Sequence, residues 1–448
     1  MTNAERTDNA HGILGVDTPA SAPDRQTMIR VVAAASVGTF VEYYDLAIYA
    51  FLATTIAGVF FASGDDATAL LSTFAVFSVA FFARPAGGLI WGAVGDRIGR
   101  KRALVIILNL MTIATVMVGL LPTYSAVGIA APALLILLRL VQGISAGGEV
   151  TGAAAFIAEH APHGRRGFLT SWLQVSTTAA LLAGLITASA LNALLSDDQM
   201  HSWGWRIPFL IALPLGLVGL YVRSKLDETP MFVAMQQSQD PSDATALRNT
   251  LRVRKNYRQI VLAAGIGVVH TLAFYIILSY MPTYLTKGVG LSSSDSYIVL
   301  GVATAAYLIL IPVTGVFSDR FGRRPSFFVS ALGLLGLALP AFQLMISGSL
   351  LLALIGQMLL VVPGSFAASA MLITQAEMFP TKLRYTGQGI AVGVVAALFG
   401  GSAPFVAQLL GSITHSLYVP ALMIMFAAAI SLIACVAMRE TGREPLPS

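Results

Sequence analysis

Along this chain, long apolar stretches alternate with short breaks rich in charges and turn residues. Apolar runs at about 29–60, 68–94, 103–122, 131–157, 168–195 and 206–224 are followed by a polar stretch at 225–256. Six more runs follow, at about 257–285, 296–317, 326–346, 350–376, 385–411 and 418–438. Each has the roughly 18 residues or more that a helix needs to cross a hydrocarbon layer. None alternates apolar and polar positions in ten-residue segments, so an outer-membrane barrel is excluded. Within lipid the backbone must satisfy its own hydrogen bonds, and helices do so. The pattern predicts an all-α membrane protein of twelve transmembrane helices, called spans 1 to 12 below, arranged as two six-helix bundles. The division is a tail at 1–28, a bundle at 29–224, a central loop at 225–256, a second bundle at 257–438 and a tail at 439–448.

Composition agrees with this pattern. Hydrophobic residues make up 56%, charged residues only 11%, and mean hydropathy is +0.77. Typical globular proteins carry roughly a quarter charged residues, so too few are present here to cover a soluble surface. The single Cys435 leaves no disulfide within the chain. The first 28 residues are polar, carry Glu5, Asp8, Asp17 and Asp24, and lack a basic segment feeding a short apolar core. They read as no cleavable signal peptide, which makes the first helix the membrane entry.

Charge sets the orientation. Of 27 Lys and Arg residues, 23 fall in the two tails, the central loop and loops 2/3, 4/5, 8/9 and 10/11. Positive charge accumulates in cytoplasmic loops, so both termini are expected inside, in a multi-pass protein of the cell (inner) membrane. Arg206 and Lys287 fall at outer ends, and Arg84 and Arg139 inside the membrane. An isoelectric point near 9.3 raises nucleic acid as a partner, but the basic residues form no stripe and carry no stacking aromatics. The expected partners are the lipid bilayer and a small-molecule metabolite, with no nucleic acid, and the protein is expected to be a monomer.

The sequence repeats itself. Gly95-Asp96-Arg97-Ile98-Gly99-Arg100-Lys101-Arg102 follows span 2, and Ser318-Asp319-Arg320-Phe321-Gly322-Arg323-Arg324-Pro325 follows span 8, with Asp96 and Asp319 offset by 223. Ala158-Glu159 and Ala376-Glu377, each followed by a proline and basic residues, are offset by 218. A parallel repeat of six spans is the architecture of one large transporter class. The loop 2/3 and 8/9 segments resemble the signature of the major facilitator superfamily, as does Arg139-x-x-Gln142-Gly143-x-x-x-Gly147-Gly148-Glu149 in span 4. Further segments resemble its metabolite:proton symporter family: Glu42-Tyr43-Tyr44-Asp45, Arg84-Pro85-x-Gly87-Gly88, Trp203 to Phe209, and Asp227-Glu228-Thr229-Pro230. Ile211 to Leu220, Tyr280-Met281-Pro282-Thr283-Tyr284 and Met378-Phe379-Pro380-Thr381 are most similar to proline and glycine betaine symporters. Arg139 and Phe399-Gly400-Gly401-Ser402-Ala403 look closer to organic-acid members such as oxoglutarate and citrate symporters.

The few intramembrane charges are candidates for transport chemistry. Glu42 and Asp45 stand at i and i+3 on one face of span 1, with Glu42 roughly 20 Å from the start of that span. Buried carboxylates there carry a proton or form a permanent ion pair. Arg139 in span 4 lies at comparable depth and is a fixed cation for a substrate carboxylate or for Glu42 or Asp45. Arg84 is expected to pair with Glu149. Gln142 belongs to the span 4 signature, and Gly143, Gly147, Gly148 and Gly152 read as helix contacts.

His270 is the only His inside a span and reads as a proton relay or a satisfied polar contact. Tyr43, Tyr44, Tyr275, Tyr280, Tyr284 and Trp172 read as cavity lining for a quaternary ammonium group or as packing. The candidate binding and coupling set is Glu42, Tyr43, Asp45, Arg84, Arg139, Gln142, Glu149, His270 and Tyr275. The candidate cytoplasmic gate is Asp96, Arg97, Arg100, Asp319, Arg320, Arg323, Glu159 and Glu377, as charge pairs that hold one conformation and break in the other.

No nucleophile arrangement, metal-ligand spacing or phosphate loop appears, so no cofactor, metal or enzyme activity is expected, and the proton is the coupling ion. The expectation is a proton-coupled symporter for an osmolyte (proline or glycine betaine) or an organic acid (oxoglutarate or citrate type). The alternative is a facilitator or antiporter of the same fold. A membrane enzyme or receptor accounts less well for duplicated gate loops.

Overall fold

The computed structural model describes residues 25–61, 65–98, 100–162, 164–224, 254–444 and 446–447. Among them there are helices and connecting loops and no strand. Span 1 is Arg25–Phe51 continued by Ala53–Phe60, span 2 is Asp66–Ile98, span 3 is Arg100–Leu120 and span 4 is Ala130–Ala146 followed by Glu149–His160. Spans 5 and 6 are Arg166–Leu194 and Arg206–Ser224. Span 7 begins as Arg254–Phe274 and runs on through π-helical stretches at Tyr275–Tyr280 and Tyr284–Val289. Spans 8, 9 and 10 are Ser293–Phe321, Arg323–Ile346 and Leu350–Glu377. Span 11 is Thr381–Val395, a π-helical stretch at Ala396–Gly401, and Ser402–Thr414, and span 12 is Val419–Ala437.

Ten of the described helices are long and apolar enough to cross a membrane. Asp197–Gly204 and Arg206–Val222, bent by 45°, add an eleventh if they are one span, and Val105–Leu120 is a shorter apolar helix. Span 2 continues to Ile98, past the predicted end at 94. A helix leaving lipid no longer needs apolar side chains, so hydrophobicity underestimates its length. At the other end Asp65 accepts from the Thr68 hydroxyl and from the amides of Ala67 and Thr68. These bonds cap the helix and hold the Asp65 carboxyl below its ordinary range.

The packing repeats with the sequence. Span 1 packs on span 5, span 2 on span 4 and span 3 on span 6; six spans later, 7 packs on 11, 8 on 10 and 9 on 12. Between the halves, span 5 lies along span 8 and span 2 along span 11. The glycines of span 4 have the role their spacing implies. A methyl group at Gly143 would run into the carbonyl oxygen of Ala80, one at Gly147 into that of Arg84, and one at Gly87 into that of Ile144. Spans 2 and 4 therefore touch backbone to backbone over two turns. Gly143→Ala should cost at least the roughly 1–3 kcal/mol typical of overpacking and lower both yield and melting temperature. Gly336→Ala, with nothing within 4 Å of its added carbon, should leave both unchanged.

Candidate functional site

Two acid–base pairs stand one helical turn apart on span 1. A guanidinium nitrogen of Arg84 lies 2.7 Å from the Glu42 carboxylate, and Arg139 Nη1 donates to Asp45 Oδ2 at 2.8 Å. Gln142 donates to Asp45 Oδ1 at 2.9 Å and to the Thr115 hydroxyl at 2.8 Å. Glu42 and Arg139 are 0% exposed, Asp45 2% and Arg84 9%. Both guanidinium groups also lie over aromatic faces, Arg84 4.5 Å from the Phe81 centroid and Arg139 3.9 Å from that of Tyr49. In a low-dielectric interior such contacts offset part of the cost of burying charge. Nε and Nη2 of Arg139 and Oε1 of Gln142 have no hydrogen-bond partner.

Of the partners open to Arg139, Glu42, Asp45 or a substrate carboxylate, the structure pairs it with Asp45. The partner of Arg84 is corrected: its ion pair goes to Glu42, where the sequence argument gave it to Glu149. Glu149 lies beyond the Gly147–Gly148 interruption of span 4, so a count of helical rise does not carry across to it.

The Glu42 pair reaches a cavity through Arg84. A cavity of about 60 Å³ between the halves is lined by Tyr43, Arg84, Glu149, Gln174, His270 and Tyr275, among others. Asp45, Arg139 and Gln142 do not line it and form a polar cluster inside the first half. Phe81, Tyr275, Phe274 and Tyr43 form an edge-to-face aromatic series along the cavity, with centroids 5.1 to 6.1 Å apart. His270 extends it, 5.7 Å from Phe274, and shares a 2.6 Å hydrogen bond with Gln174 of span 5. His270 is thus a contact between the halves. Of the other aromatic candidates, Tyr280 meets Phe74 edge to face, Tyr284 donates to the Leu417 carbonyl, and Trp172 is exposed beside Phe168.

The loop 8/9 end carries a second ionic site. Asp319 accepts from the amides of Gly167 and Phe168 at 2.7 and 2.8 Å, at the first turn of span 5. A carboxylate there meets the positive end of the helix dipole. Arg323 donates to both oxygens of Glu377 at 3.1 and 3.0 Å and to Asp319 at 3.0 Å. Glu159 of span 4 pairs with Arg384 of span 11 at 2.7 Å, across the halves. Among the described residues, the hydrogen bonds that Asp319 accepts across the halves come from backbone amides, and the Arg166 guanidinium of the first half is close enough to interact with it electrostatically. Arg320 is corrected, being exposed with its guanidinium 5.5 Å from the Phe321 ring rather than in the network. The side chains of Asp96, Arg97 and Arg100 lie outside the described residues.

Sequence reasoning missed three groups. Arg384 enters the sequence pattern only as one of the basic residues of loop 10/11. Gln174, a lone amide in an apolar stretch, carried the same signal that singled out His270. Glu440 accepts from the amides of Arg323 and Arg324 at 2.8 and 3.0 Å, capping span 9, and had no sequence signal.

With this geometry the comparisons with known proteins agree. Residues 31–254 match the family model described as sugar (and other) transporter, and residues 263–447 match that of the major facilitator superfamily. The proline/betaine transporter of Salmonella typhimurium is 36% identical over 423 residues, covering 93% of this chain and 84% of that one. The alpha-ketoglutarate permease of Escherichia coli is 34% identical over 407 residues, covering 90% of this chain and 92% of that one. Among solved structures, the proton:xylose symporter XylE bound to 6-bromo-6-deoxy-D-glucose superimposes with a TM-score of 0.77 at 18% identity, covering 95% of this chain and 98% of the other. The chain belongs to the major facilitator superfamily.

Proposed function

We propose that this protein is a proton-coupled symporter that imports a small zwitterionic, carboxylate-bearing metabolite across the cell membrane by alternating access. The reading rests on one observation: Arg84 lines the cavity while its counter-ion, Glu42, is wholly buried behind it. A substrate carboxylate that takes Arg84 by a charge-assisted bond leaves Glu42 without its cation. A carboxylate in that position takes up a proton rather than remain a bare buried charge. Substrate and proton are thereby bound together. Asp45, held by both Arg139 and Gln142, keeps span 1 against span 4.

The cavity carries one guanidinium and one carboxylate, Glu149, beside the Tyr43, Phe274 and Tyr275 rings. A substrate with one carboxylate and one ammonium group, as in proline or a betaine, matches this better than a dicarboxylate. The names of the Salmonella and E. coli relatives support the two substrate classes respectively. The 23 inner-loop basic residues support cytoplasmic termini. The transport cycle makes and breaks no covalent bond, and one chain holds every group the reading uses.

Uptake into proteoliposomes of proline, glycine betaine and 2-oxoglutarate, with and without an imposed proton gradient, tests the proposal. Zwitterion accumulation driven by the gradient is expected. Uptake indifferent to the gradient counts against coupling, and accumulation of 2-oxoglutarate alone reverses the substrate assignment.

On this reading the Asp319, Arg323, Glu377, Arg384 and Glu159 network closes the cytoplasmic side. Each hydrogen bond to Asp319 is expected to contribute roughly 1.5–3 kcal/mol. Asp319→Ala should therefore favour the cytoplasm-open state by tenfold or more on the order of that energy. Faster labelling of a cysteine introduced at Gln388, in a Cys435→Ser background, measures it.

A further inference from the structure

Span 11 contributes four small or medium residues to the cavity wall, Gly389, Val392, Gly393 and Ala396, at positions i, i+3, i+4 and i+7 on one face. The two glycines differ from those that join spans 2 and 4. Among the described residues, a methyl group at Gly389 would meet only the Thr151 hydroxyl, at 3.9 Å, and one at Gly393 only Pro85, at 3.8 Å. These are ordinary van der Waals separations, so no neighbouring helix requires a glycine at either place. Neither position has a positive φ, so no backbone conformation requires one. Glycine inside a helix costs roughly 0.8–1 kcal/mol relative to alanine. What the missing side chains leave open is the cavity itself.

The polar groups on the same cavity point to a ligand there. Arg84 and His270 are both more than nine-tenths buried, and Arg84 Nε and His270 Nδ1 have no hydrogen-bond partner. The wall opposite in sequence, Ala146, Gly147 and Gly148 of span 4, is small too, but there a methyl group at Gly147 is forbidden by the Arg84 carbonyl oxygen. Span 11 is the wall where a side chain fits sterically and is nevertheless missing.

We propose that Gly389 and Gly393 are specificity-determining residues that set the largest amino-end substituent the cavity admits, while Arg84 holds the carboxylate. This rests on the proposed function, since it assigns the non-carboxylate end of the same substrate. In a closely fitted apolar pocket a single methylene changes discrimination by about tenfold to two-hundredfold. The filter is therefore graded: alanine trims it and valine closes it.

The test uses full-length protein in proteoliposomes with a homologous series of probes, glycine, sarcosine, dimethylglycine and glycine betaine, which differ by one N-methyl group at a time. In Gly393→Ala and Gly389→Ala, kcat/KM for glycine betaine should fall about tenfold or more relative to that for sarcosine, and the valine variants should extend the loss to dimethylglycine. Both alanine variants should melt no lower than the parent protein, because their added carbons touch nothing closely. Gly336→Ala, outside the cavity, should leave the ratio unchanged. A uniform loss across the series, or a ratio unchanged in all four variants, overturns the size filter while leaving the transport reading intact. Failure of the parent protein to take up any member of the series overturns the size filter, and failure to take up proline as well overturns the transport reading with it.

Discussion

Glu42→Gln should lose essentially all gradient-driven accumulation while retaining exchange of labelled for unlabelled substrate across the membrane. The amide keeps the shape of the carboxyl group and keeps span 1 packed, but it can neither release a proton nor draw Arg84 back from the substrate. Arg84 is then available throughout the cycle, so binding persists while its linkage to the proton is gone. Counterflow and pH-jump uptake on the same vesicles separate the two. Loss of both activities would mean that Glu42 holds the fold rather than the proton. Arg84→Lys is the companion experiment, since an ammonium group cannot bind a carboxylate in the two-pronged way a guanidinium does. It should raise KM for the substrate about tenfold or more and leave kcat less affected.

The second large effect concerns stability. Arg139→Leu leaves Asp45 buried with only Gln142 as donor, and breaking a buried ion pair from one side costs about 3–5 kcal/mol. The variant should melt well below the parent protein and accumulate poorly in the membrane. The double variant Arg139→Leu with Asp45→Asn should recover a large part of that loss, because no uncompensated charge remains. A double variant that melts as low as the single one would place the cost in packing against Tyr49, over whose ring the guanidinium lies. The pair at Glu42 predicts a smaller stability effect, because Arg84 reaches the cavity and retains access to water there.

The spans were legible because lipid imposes a length on every crossing helix, and ten of the described helices meet it, with an eleventh if Asp197–Gly204 and Arg206–Val222 are one span. The repeat was legible as well, and it reappears in the packing of span 1 on 5 and 7 on 11. Depth could be counted along a helix, which is why Arg139 was expected level with Asp45, although Glu42 and a substrate carboxylate stayed open as its partners. Azimuth could not, and Arg84 faced Glu42 across span 1 instead of Glu149 along span 4. The π-helical stretches at Tyr275–Tyr280 and Ala396–Gly401 left no trace in an apolar run, because one extra residue per turn does not change its hydrophobicity. Asp319 looked like half of an ion pair between halves. Among the described residues it also accepts from the amides of Gly167 and Phe168 across the halves, and a backbone amide has no letter in the sequence.

The backbone contact between spans 2 and 4 has a mechanical consequence for the two ion pairs. Arg84 and Arg139 sit on helices whose backbones are pressed together at Gly87, Gly143 and Gly147, and such close packing favours movement of the two helices as one plate. Glu42 and Asp45 belong to a single rod, span 1, riveted to that plate at two points one turn apart. Removing one rivet, as each turnover would do at Glu42, leaves the other in place and allows the rod to pivot about it without coming loose. On the proposed cycle the protein breaks the bond at Glu42 at each turnover, and the second bond at Asp45 would let it do so without losing its shape.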